Sequence, residues 1–149
     1  MAVFFGENAR NPIFIAYFGA MVLLFWRTLT FVLLAITLWF ALIPQPPALP
    51  FGGDGARHAL AFFLLPLVAG MACRNLGLPV LWLVFALFGG LIEILQYEMG
   101  MGRQAQWSDW FIDLAALTAA IAFLWLTRRR GKREIRDLPN PRDVGMIRG

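Results

Sequence analysis

Apolar residues run almost without interruption through four stretches of this chain, and the breaks between them consist of proline, glycine and charge. The first stretch spans about Thr28 to Ile43 and stops at "PQPP", whose prolines cannot continue a helix. The second runs from about Arg57 to Cys73, and Gly77 and Pro79 in "RNLGLP" make the turn that follows. The third begins at Pro79, a residue suited to the first turn of a helix, and runs to about Tyr97; the fourth covers about Ser108 to Thr127. A hydrocarbon core of about 30 Å takes roughly 20 residues of helix, somewhat fewer where the bilayer thins. Each stretch is therefore expected to cross a membrane, and the fold to be all-α, an integral membrane four-helix bundle.

An additional N-terminal apolar segment, "NPIFIAYFGAMVLLFW", abuts Arg27. Three readings fit it: an interfacial helix, an extension of the first span, or sequence translated ahead of a start at Met21. It lacks the basic region and small-residue site of a cleaved signal peptide. The chain divides on this reading into an extension at 1–26, a transmembrane domain at 27–127 and a basic tail at 128–149. There are no internal repeats.

Composition agrees. Of 149 residues, 60% are hydrophobic and 15% charged, too apolar a balance for a domain wetted on all sides. The net charge of +4 is a property of the tail, where eight basic residues stand against three acidic ones; the remainder has one more acid than base. A basic cluster after an apolar helix is a stop-transfer signal held in the cytoplasm, so no nucleic-acid partner is expected. The single cysteine, Cys73, leaves no intrachain disulfide and no CxxC motif, and is read as a small apolar helix residue.

Basic residues also set the orientation. Arg10 and Arg27, then Arg74, then the tail all fall on one side of a four-span protein. That side is expected to be the cytoplasm, with both termini there. The opposite face then receives Asp54, Arg57, His58, Glu98, Arg103, Asp109 and Asp113, with Glu93 and Gln96 in the last turns of the third span. Glu93 is the anomaly, because an acid inside a span is expensive unless paired or protonated.

Spacing places these residues. Glu93 and Gln96 share a helix face with Gly89 and Gly90, and glycines there admit a close neighbour. On the fourth stretch Asp109, Asp113, Ala116 and Ala120 form a stripe that could pack against those glycines. His58 lies four residues after Asp54, and its ordinary pKa suits proton transfer. Arg103 can anchor a phosphate, snorkel to the headgroups, or fold back over "YEMGMGRQ" to pair with Glu93. Asp109 can instead cap the fourth helix. Gln96 is expected to bond between helices. Trp82, Trp107, Trp110, Trp125 and Tyr97 fit an aromatic belt.

Asp54 and His58 before an apolar helix, then "GLIEILQ", then Arg103 followed by Asp109 and Asp113, resemble the VanZ-like family of small membrane proteins over about residues 27 to 126. The family is named for a protein of low-level teicoplanin resistance. Two departures stand out: Gly55 where the family usually has Lys, and Asp113 where it usually has Asn, with Ala116 in place of a later Gly. A role for that Lys is excluded here, although Arg57 can supply positive charge.

The resemblance and the residues together imply an inner-membrane protein with an outward-facing polar pocket. Asp54, His58, Glu93, Gln96, Arg103, Asp109 and Asp113 would bind an envelope lipid, a glycan precursor or a glycopeptide, as in a teicoplanin-resistance, antibiotic-resistance role. An enzyme reading makes His58 or Glu93 the general base and Arg103 the stabiliser of a phosphoryl or acyl transfer at a lipid. A purely structural bundle is the third reading. The candidate ligands are scattered without a metal-binding spacing, so no metal or cofactor is expected. Membrane lipids are the expected partners, and the oligomeric state is left open.

Overall fold

The computed structural model describes residues 11–44, 53–99 and 107–136. They form four helices, α1 (Pro12–Leu42), α2 (Asp54–Ala72), α3 (Leu78–Met99) and α4 (Trp107–Arg136). All four are long and apolar enough to cross a membrane. The chain is thus an all-α bundle of multi-pass membrane type.

α1 begins earlier than the first apolar stretch suggested. Asn11 caps it, its side-chain oxygen accepting from the Ile13 N–H at 3.0 Å, and Pro12 occupies the first turn. The helix then passes Arg27 unbroken. The N-terminal segment therefore extends the first span, and the interfacial-helix reading is set aside. Only the C-terminal half packs, with Leu33, Leu34 and Leu38 against the bundle and Ala41 buried.

α2 and α4 lie side by side and run parallel, as alternation of four spans requires. Gly55 sits under Ile112, whose Cδ1 would be 2.9 Å from an added Cβ; Gly70 lies under Leu124, at 2.7 Å. Among lipid tails, apolar burial drives helices together only weakly, so close backbone approach and hydrogen bonds carry the association. A Lys at position 55 would have to displace Ile112. The α3–α4 contact uses indole donors: Trp110 Nε1 donates to the Ala86 carbonyl at 3.1 Å, and Trp82 Nε1 to Thr118 Oγ1 at 3.1 Å. Trp110 is accordingly part of the bundle rather than of the expected belt. Leu65, Phe85 and Leu117 centre the core.

The two ends of the bundle differ. At one, Arg128 of α4 donates to the carbonyls of Gly70 at 3.0 Å and Leu76 at 3.2 Å, tying α4 to the end of α2 and the turn beyond it. Arg129 stacks on Trp125, its guanidinium carbon 3.7 Å from the ring centroid. α4 thus continues as helix into the basic tail, past the expected end at Thr127. Cys73 stands exposed at the C-terminus of α2, outside the helix into which it had been placed. At the other end lie the polar residues.

Candidate functional site

His58 is the centre of the polar end. It sits in the second turn of α2, and its Nδ1 lies 3.0 Å from Oδ1 and 3.2 Å from Oδ2 of Asp113 on α4. The remaining exposures are small: 7% for His58, 2% for Glu93, 5% for Gln96 and 1% for Asp113. Polar groups so dry are tolerated only when they are matched.

The local sequence explains the match. Asp113 fits because Gly89 of α3 has no side chain; a Cβ there would lie 3.1 Å from Asp113 Oδ2 and from two carbons of the Phe62 ring. The expected packing of the aspartate stripe on the glycines is therefore realised at Gly89. Gly90 faces the Trp110 indole instead, at 3.5 Å. Gln96 is the interhelical bond expected of it, its Nε2 donating to the Ala41 carbonyl at 2.9 Å and tying α3 to the end of α1. Phe62 and Ile92 pack with Ala41 beneath the cluster.

An outer layer surrounds His58 toward the bundle end. Asp54 opens α2 and receives both Nε and Nη2 of Arg57, at 3.1 and 2.7 Å, within a single turn. α4 starts at Trp107, so Asp109 lies in its first turn, favoured by the helix dipole but not the cap. One ligating atom each from Asp54, His58 and Asp109 falls within 4.8 Å of the others, and the same holds for His58, Glu93 and Asp113. The scattered spacing in sequence hid both sets, because the donors come from three helices. Arg103, and with it the expected pair with Glu93, lies outside the described residues.

A groove of about 270 Å³ runs between α1 and α2. Leu33, Ile36, Phe40, Leu60 and Leu64 line its length, and Asp54, Arg57 and His58 border it. Sequence reasoning anticipated a polar pocket, and this one is mostly apolar. Glu93, Gln96 and Asp113 stand behind His58 in the interior and do not line it. The groove-forming leucines and isoleucines carried no signal of their own, since in a span they read as ordinary lipid-facing positions.

No known family, characterised protein or solved structure matches the chain. What fold and site define is a multi-pass, four-helix membrane protein with a buried imidazole–carboxylate cluster beside an apolar groove.

Proposed function

We propose that this protein takes an amphiphilic cell-envelope lipid, a lipid-linked precursor or a lipidated glycopeptide, from the bilayer of the inner membrane and holds its polar head at His58. The observation that carries the reading is the groove itself: apolar along α1 and α2, as an acyl or prenyl chain requires, and bordered by Asp54, Arg57 and His58. Ligand sites are commonly apolar with a few placed polar groups. With both termini cytoplasmic, the polar end faces outward, where envelope precursors are used and where a glycopeptide antibiotic arrives. The resemblance to VanZ-like proteins supports the same assignment.

Native mass spectrometry of the protein released from membranes in mild detergent tests it. The wild type retains a co-purifying amphiphile; Ile36→Trp and Leu60→Trp, which fill the groove, lose most of it while keeping their helical content. Equal retention by all three proteins rules the groove out as the binding site.

One observation favours a catalytic variant of this reading. With Nδ1–H donated to Asp113, the lone pair of His58 stays on Nε2, the arrangement of an oriented general base. Such a base removes a proton from water or a hydroxyl at the lipid head, with Arg57 stabilising the developing anion. Turnover of the retained amphiphile, lost in His58→Gln, distinguishes catalysis from binding.

A further inference from the structure

The fold assembles what the sequence disperses. His58 of α2, Glu93 of α3 and Asp113 of α4 are all buried, and each brings one ligating atom to within 4.8 Å of the other two. We propose that these three side chains hold a divalent first-row transition ion, Zn2+ or Mn2+ in class, in the interior behind the groove. The ion site does not depend on the functional reading above.

Geometry supports the site first. Donors on neighbouring corners of a shell with bonds of about 2.1 Å stand roughly 3.0–3.4 Å apart. Nδ1 of His58 and the two Asp113 oxygens, at 3.0 and 3.2 Å, already have that separation. An ion entering there takes the place of the proton between them, as metal binding to a protonated donor requires, and moves the imidazole proton to Nε2, so the ion site and the general-base variant above exclude one another. Glu93 brings a carboxylate oxygen to within 4.8 Å of both His58 and Asp113. The surroundings of Asp113 and Glu93 are also held from outside. Gly89 seats Asp113 against α3, and Gln96, one turn after Glu93, is bonded to the end of α1.

Charge supports it second. Asp54, Glu93, Asp109 and Asp113 place four carboxylates around one imidazole, and Arg57 is engaged by Asp54 at 2.7 Å. Even when Arg103 is counted with Arg57, acids outnumber guanidiniums two to one. Glu93 and Asp113 are buried while Asp54 and Asp109 are half-buried, and two carboxylates this close in a dry interior favour a cation between them.

Donor chemistry selects the ion. One imidazole nitrogen and two carboxylate oxygens suit Zn2+, Mn2+ or Fe2+ better than the all-oxygen shells of Mg2+ and Ca2+, and no thiolate is present to favour copper(I). Three protein ligands also leave coordination positions open.

The test is metal content and metal titration, with no lipid required. Full-length protein purified without chelator retains about one transition ion per chain. After chelator stripping, Zn2+ or Mn2+ alone rebinds saturably in calorimetry. Glu93→Gln and Asp113→Asn, checked for helix content by circular dichroism, each weaken binding tenfold or more. A stripped wild type that takes up no ion at millimolar concentration overturns the proposal whatever the variants do. So does binding that both variants retain at full strength, or that Asp54→Asn abolishes and Glu93→Gln does not, which would move the ion to the outer set. Failure of the amphiphile reading appears separately, as unchanged lipid retention in the groove variants.

Discussion

Replacing Asp113 by leucine removes the acceptor 3.0 Å from His58 Nδ1 at a position 99% shielded, since only 1% of Asp113 is exposed. Leucine has the same number of side-chain heavy atoms but bulkier methyl groups, so overpacking against α3 adds to the polar loss. If the pair is an imidazolium and a carboxylate, stranding one partner costs about 3–5 kcal/mol. If it is a neutral imidazole donating to the acid, leaving that donor unmet costs about 1–3 kcal/mol. Asp113→Asn keeps an oxygen to accept from Nδ1–H and costs less than Asp113→Leu in either case. His58→Leu with Asp113→Leu removes both groups together, so the double variant loses less than the sum of the singles by about 1 kcal/mol or more. Reversible unfolding of chelator-stripped protein with a rising fraction of denaturing detergent measures each corner of the cycle. Additivity within about 0.5 kcal/mol would refute the pair as an energetic unit.

Two further outcomes follow from the packing and the charge distribution. Gly89→Ala pushes a methyl into Asp113 and Phe62, both nearly unexposed, and destabilises by about 1–3 kcal/mol, whereas Gly19→Ala, inside α1 with nothing within 4 Å, is not destabilising in the same unfolding assay. On the proposed orientation, with the arginines after Leu126 inside, a periplasm-active reporter inserted at Gly53 is active and one at Gly131 is silent; activity at Gly131 would invert the polar end and refute the outward-facing site.

The spans were legible because their length and apolarity follow from bilayer thickness alone. The contact of Gly89 with Asp113 was legible too, since helical spacing put a small residue and a polar one on faces that could meet. Continuity of α1 through Arg27 was not, because an exposed arginine interrupts hydropathy without interrupting the backbone hydrogen bonds of a helix. The role of Arg57 as a partner of Asp54, the place of Asp109 inside the first turn rather than at the cap, and the convergence of donors on His58 depend on helix starts and rotations. Boundaries of that kind shift by a residue or two without altering the apolar pattern.

α2 is the shortest of the four helices, and its start is given over to Asp54, Arg57 and His58. What remains apolar, Ala59–Ala72, is 14 residues or about 21 Å of helix, well short of a hydrocarbon slab of about 30 Å. A mismatch of this size is relieved by a bilayer that thins around α2, at a fraction of a kcal/mol per Å. Thinning of that kind would make the membrane surface dip toward His58, so that a lipid beside α1 and α2 would bring its headgroup down to the level of the cluster without leaving its leaflet.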